Sequence, residues 1–323
     1  MKDRMEVNIY MNMYQKRKIR AEKKKDDSPK SFPSVGINWY PGHMAKTKRQ
    51  IIEDMKLVDV VIELLDARIP KSSRNPDIQG MVKNKKRIVI LNKSDLADEK
   101  ETKKWIEYFK KKNILAIDVD SNQGKGIKQV SQAIEKIMED ELKIQNSKGR
   151  IRKTIRVMIV GIPNVGKSSF INRISKKTTM TVGNKPGVTR QKQWIRIGNQ
   201  IELLDTPGVL WPKFESEEVG LNLAYTGSIK EEILEKTEIA YNLLKFLDEN
   251  YSNDLYAKYK ISEQEIDEIK DNPQYTLELM YLIGKKRGAL ISGGNIDEEK
   301  VAKIILDDFK NGRIGKITLE KAE

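Results

Sequence analysis

Cysteine is absent from the 323 residues, and histidine occurs once, at His43. Without cysteine, disulfide frameworks and thiolate zinc sites are excluded, and a reducing cytoplasm is the expected location. No apolar run approaches the ~18 residues of a spanning helix. The first residues lack the apolar core of a secretory signal, so no membrane insertion is expected. Acidic residues are also in deficit, with 47 Asp and Glu against 61 Lys and Arg, a formal charge of +14. Such an excess suits a phosphate-rich partner, and RNA, DNA or an anionic surface would each qualify. Part of it reflects a composition heavy in Lys, Ile and Asn throughout. The length predicts about two domains.

What is present is organised around Gly161-Ile162-Pro163-Asn164-Val165-Gly166-Lys167-Ser168-Ser169, which follows the apolar run Ile155 to Val160 and precedes a helical pattern. The spacing Gly161, Gly166, Lys167, Ser168 is that of a phosphate-binding loop. Glycines let the backbone curl until its N–H groups and a helix N-terminus face an anion. Lys167 would reach the β- and γ-phosphates and Ser168 would bind magnesium. Further on, Pro186-Gly187-Val188-Thr189 offers a second hydroxyl for the metal, at Thr189. Two strands then deliver Asp205-Thr206-Pro207-Gly208, where Asp205 would hold magnesium through water and the Gly208 N–H would meet the γ-phosphate.

Before this loop lies a base-reading set. The strand Arg87 to Leu91 runs into Asn92-Lys93-Ser94-Asp95. A carboxylate at Asp95 accepts two hydrogen bonds from guanine N1 and its exocyclic amine, a donor pair adenine lacks. Asn92 would support the loop and the base edge, and the Lys93 stem would lie over the ring. After the strand Ile114 to Val119, Ser121 and Asn122 open a turn whose backbone could contact the guanine oxygen. Val58 to Leu65 reads as a buried parallel strand ending in Asp66-Ala67-Arg68-Ile69-Pro70, where a local Asp66–Arg68 ion pair that fixes the loop is the favoured role.

Residues 1–34 read as a basic, flexible arm. Residues 35–212 read as a nucleotide domain, and 213–323 as a helical one, with helices expected at about 228–249, 262–271, 274–286 and 297–310. Basic residues at Lys285-Lys286-Arg287, Lys310, Arg313 and Lys316 make that domain the candidate nucleic-acid binder.

Base-reading elements therefore precede the phosphate loop. This is a circular permutation, tolerated where the cut falls in surface loops and every strand keeps its neighbours. With Trp39-Tyr40-Pro41-Gly42-His43-Met44-Ala45-Lys46, the Asp66, Asn92, Gly161, Pro186 and Asp205 stretches and Gly220-Leu221-Asn222-Leu223, the chain resembles the circularly permuted GTPases. Within them it is similar to the ribosome biogenesis GTPase A family. The likeness covers residues 37 to about 310.

The resemblance implies an α/β fold, a circularly permuted P-loop GTPase domain with a C-terminal all-helical domain. It implies GTP hydrolysis to GDP on precursor large ribosomal subunits, with rRNA contacts from the helical domain. Val209 and Leu210 stand where many GTPases carry a water-orienting glutamine. The resemblance assigns that duty to His43, which from its residue type alone reads more readily as a cap or a packed imidazole. It also implies a potassium ion near Asn164. A monomer is expected. One rival is a GTP-regulated RNA-binding scaffold with little hydrolysis. Another, a similarly permuted small-subunit assembly GTPase, would need a cysteine-based zinc module that this chain cannot build.

Overall fold

The computed structural model describes residues 42–82, 85–147, 154–176, 194–198, 200–211, 214–229 and 235–322; within helices, the side chains of 42–45, 140–142 and 144–147 are excepted. The chain forms two compact units, one from Asn38–Lys230 with Lys310–Glu323, the other including Glu231–Phe309.

The first unit is built on a sheet of β1 (Val60–Asp66), β2 (Lys86–Asn92), β3 (Leu115–Val119), β4 (Ile155–Val160), β5 (Trp194–Ile197) and β6 (Ile201–Asp205), ordered β3-β2-β1-β4-β6-β5. All neighbours are parallel except β5, which runs antiparallel to β6. The β-branched runs suit strands with both faces covered, and every residue of β1 is buried. From β1 the chain winds outward through β2 to β3, then returns to β4 beside β1 and winds the other way. The crevice between the carboxyl ends of β1 and β4 is therefore a topological switch point, where open α/β sheets bind ligands. Circular permutation changes the order in which these strands are made and leaves their neighbours intact.

The helices are α1 (Gly42–Met55), α2 (Pro76–Met81), α3 (Glu99–Lys111), α4 (Ile127–Ser147), α5 (Lys167–Lys176) and α6 (Glu217–Tyr225). Ile51 and Met55 of α1 and Ile78 of α2 pack with Val61, Met158 and Leu204, while Trp105 and Phe109 of α3 pack with Leu65, Val89 and Leu91. Asp98 caps α3 by accepting from the N–H groups of Lys100 and Glu101. On the opposite row of the sheet Ile62, Leu64, Ile88, Ile90 and Ile159 are fully buried.

The second unit holds α7 (Lys236–Tyr259), α8 (Glu263–Asp267), α9 (Tyr275–Lys286) and most of α10 (Glu298–Lys310). Helix α7 kinks at Tyr251 (φ −141°, ψ 37°). Gly284 brings α9 against α10, because a Cβ there would stand 2.7 Å from Val301 Cγ2.

Two sequence expectations need correction. The boundary at 213 is displaced: α6 and the last residues, 310–322, belong to the sheet unit. Their apolar positions explain why, since Val219, Leu223, Ile314, Ile317 and Leu319 are all buried. The helix expected at about 228–249 begins later and runs further, as α7, and α6, which ends at a turn through Gly227 (φ +73°), was not expected. The arm, residues 1–34, lies outside the described residues.

Candidate nucleotide site

The turn after β4 and the start of α5 form the phosphate loop that the spacing predicted. At Gly166 (φ +96°) a Cβ would lie 2.4 Å from Asn92 Nδ2, so both the backbone angle and the space demand glycine. Lys167 Nζ folds back across the turn, donating to the carbonyls of Gly161 (3.1 Å) and Ile162 (2.9 Å). Burial pushes its pKa down to about 8, with the Asp205 carboxylate working in the opposite direction. Asp205 ends β6, one strand away in register with Ile159; burial pushes its carboxyl up and Lys167 partly offsets this. Thr206 Oγ1 donates to the Ile159 carbonyl at 2.6 Å, fixing the turn that presents Pro207 and Gly208.

At the carboxyl end of β2, Asn92 is buried and braces two loops at once. Its Nδ2 donates to the Val165 carbonyl of the phosphate turn (2.8 Å), and its Oδ1 accepts from Ser121 Oγ (2.6 Å). Lys93, in the left-handed region at φ 58°, donates from Nζ to the Asn164 carbonyl (2.7 Å) and pairs with Asp66 (3.0 Å). Asp66 also receives Arg68 Nε (2.9 Å) and Nη2 (2.8 Å). Burial alone would raise the Asp66 carboxyl, but Arg68 and Lys93 more than offset it and hold the group well below the carboxylate range. The expected Asp66–Arg68 pair is thus present, with Lys93 as an unforeseen third member.

Asp95 Oδ1 is buried with no hydrogen-bond partner among the described residues. Burial raises its pKa and the nearby Asp120 raises it further. Asp95 opens onto a cavity of about 1020 Å³ whose wall includes Asn92, Lys93, Ser121 and Asn122 at one end. Asn164, Gly166, Lys167, Ser168, Ser169, Asp205 and Gly208 line the same cavity. Val165 is buried behind the turn and takes part through its carbonyl.

Asn164 Nδ2 donates to the Gly227 carbonyl (2.6 Å). Thr189 and its loop lie outside the described residues. His43 falls in the first turn of α1, and its side chain lies outside those described. Among the described residues no group of three or more His, Asp or Glu is placed to hold a metal ion. Ser168 and Asp205 alone offer too few ligands for a protein cage. That donor set fits magnesium, which keeps several waters and takes further oxygens from substrate phosphates.

No motif in the sequence marks Asn75, whose Nδ2 donates to the Val209 carbonyl (2.9 Å) and pins the segment after Gly208. Nor does one mark Lys310 and Asn311 as part of the cavity wall. An isolated Asn and a helix C-terminus carry no local signal of such roles.

Residues 156–282 match the 50S ribosome-binding GTPase family. Proteins named ribosome biogenesis GTPase A from Bacillus cereus and Priestia megaterium are 46% and 45% identical to this chain, over 89% and 88% of it and 94% and 96% of their own lengths. The crystal structure of GNP-bound YlqF from T. maritima is 29% identical, with a TM-score of 0.56 over 86% of this chain and 99% of that one. With the permuted sheet and its phosphate loop in place, the chain belongs to the ribosome biogenesis GTPase A family and is a GTPase.

Proposed function

We propose that the cavity holds a single guanine nucleotide, with the base edge against Asp95 and the phosphates in the turn from Gly161 to Ser169. Hydrolysis of GTP there serves assembly of the large ribosomal subunit. The observation that supports this most strongly is that Asp95 and Lys167, far apart in the chain, line one cavity, with Asp95 Oδ1 buried and without a hydrogen-bond partner among the described residues. Asn92, Ser121 and Asn122 shape the base end, and Lys93 lies along the ring. The backbone of Asn164 to Ser169, with Gly208, receives the phosphates, and Lys167 stabilises charge that develops on them. Ser168, Thr189 and Asp205, the last through water, would hold magnesium, which would supply charge neutralisation to the phosphates when bound. A potassium ion at Asn164 is part of the same reading. His43 orients the attacking water, because Val209 and Leu210 are buried and apolar.

The helical unit contacts rRNA in this reading, through the exposed Lys285 and Arg287 at the end of α9. Lys286 serves the fold instead, paired with Glu265 (2.8 Å) and donating to the Lys260 carbonyl (2.7 Å). Among the described residues no helix is long and apolar enough to cross a membrane. A monomer working in the cytoplasm completes the proposal.

The burial of Val209 and Leu210 also favours a second reading, a GTP-regulated RNA-binding scaffold with little turnover. Phosphate release from the full chain, with and without precursor large-subunit particles, separates the two. Stimulated hydrolysis should fall about a hundredfold in His43→Ala, the size of a lost proton-transfer or water-positioning group. Equal and negligible rates favour the scaffold. Equal and substantial rates remove His43 from the mechanism and keep the enzyme.

A further inference from the structure

The last residues of the chain leave α10 and run, without helical structure, along the base end of the nucleotide cavity. Lys310 and Asn311 line that cavity together with Asp95 and Leu96. Gly312, at φ +66°, then passes so close to the base loop that a Cβ would lie 2.6 Å from Leu96 Cδ2. Further on, Ile317 N–H donates to the Leu96 carbonyl (3.0 Å), and Thr318 Oγ1 accepts from Asp98 N–H (3.0 Å). The segment carrying Asp95 is therefore gripped on its C-terminal side at Leu96 and Asp98 by residues more than two hundred positions away.

The grip is itself anchored at both ends to the loop after β1. Arg68 Nη1 donates to the Lys310 carbonyl (3.2 Å), and Leu319 N–H donates to the Arg68 carbonyl (2.8 Å). Glu320 is buried and closes the far end. Its carboxylate accepts from the N–H groups of Lys71 (2.6 Å) and Ser72 (2.9 Å), from Ser72 Oγ, and from Asn222 Nδ2 (3.2 Å). Its carbonyl accepts from Trp105 Nε1 at 3.0 Å. Arg68 is meanwhile tied through Asp66 to Lys93, at the other side of the base loop. Burying a carboxylate on backbone donors is costly unless the geometry is kept, so this end of the chain has a defined seat rather than a frayed terminus.

We propose that the C-terminal strap, Lys310 to Glu320, is a positioning element for guanine recognition: it clamps the Asn92–Asp98 loop so that the Asp95 carboxylate meets the base in register. The inference rests on the reading of Asp95 given above and goes beyond it, because it assigns the selectivity of the site to residues that touch the base loop from behind. A site of this kind loses discrimination when its supporting contacts loosen, even with the recognising side chain still present.

The test uses the full chain and three probes: GDP, inosine diphosphate, which lacks the exocyclic amine, and inorganic pyrophosphate, which reports the phosphate end alone. In Glu320→Ala the strap loses its terminal seat. In Thr318→Val, close in volume and milder, Asp98 N–H loses its acceptor. The preference for GDP over inosine diphosphate should fall about tenfold in Glu320→Ala, the size of one charge-assisted hydrogen bond, and by a smaller factor in Thr318→Val. Pyrophosphate binding should stay unchanged. Equal losses for both nucleotides, or an intact preference in Thr318→Val when Glu320→Ala does not fold, would overturn the strap's role. A wild-type protein that binds the two nucleotides equally would instead remove Asp95 as the reader, and the strap proposal with it.

Discussion

The phosphate end and the base end of the cavity are built in opposite ways. The phosphate end comes from two short contiguous stretches, Gly161 to Ser169 and Asp205 to Gly208, on neighbouring strands β4 and β6. The base end is assembled from Asn92 to Leu96, Ser121 and Asn122, and Lys310 and Asn311, three places spread over most of the chain. The difference follows from what each must recognise. Backbone N–H groups can cradle phosphate wherever a turn has the right dihedrals, so a short motif is sufficient. Reading a base needs one carboxylate at one place, and in the proposed reading Asp66, Arg68, Ser121 and the C-terminal strap supply that precision.

The sharpest way to break this contrast is at Asp95. Asp95→Asn should trade preference for GTP over xanthosine triphosphate for the reverse, a change of about 10⁴ in relative kcat/KM, as expected where buried polar groups lose their match. Unchanged selectivity would detach Asp95 from the base. At the other end, Lys167→Ala should lower kcat by about 10² to 10³ while leaving the guanine preference intact. A change in base preference in that variant would show that the two ends are not separable.

A smaller effect tests the bracing between them. Asp66→Asn leaves Arg68 buried without its counter-charge and should cost about 3–5 kcal/mol of unfolding free energy in urea titrations. Because the folded-state pKa of Asp66 lies below its unfolded value of 3.8, the ion pair's contribution is complete above that value. It is lost as pH falls through the folded pKa, so the acid limb of wild-type stability should be steeper than that of Asp66→Asn. Parallel limbs would contradict the role assigned to the pair.

The same contrast explains which features are legible in the sequence alone. The apolar run of β4 was legible to the residue, and β1, β2 and β3 within about two residues, because buried parallel strands are short β-branched runs that stop at polar turns. The Asp66–Arg68 pair was legible from its adjacency. The strap was not. Ile317 and Leu319 alternate with polar residues in a segment too short to announce a strand, and its partners, Leu96 and Arg68, lie far upstream. Glu320 looks like one more charge in a charged tail, yet it is buried at Ser72 and Asn222. Helix α6 escaped notice for a related reason: its N-cap, Ser216, sits within the run Glu215 to Glu218, which resembles a solvated loop.

The most direct measurement is a crystal structure of the full chain with a non-hydrolysable GTP analogue and magnesium. The account predicts a single analogue spanning the cavity, its guanine N1 and exocyclic amine on the Asp95 carboxylate and its γ-phosphate at Lys167 Nζ. A base seated away from Asp95 while the phosphates occupy the Gly161 turn would contradict it.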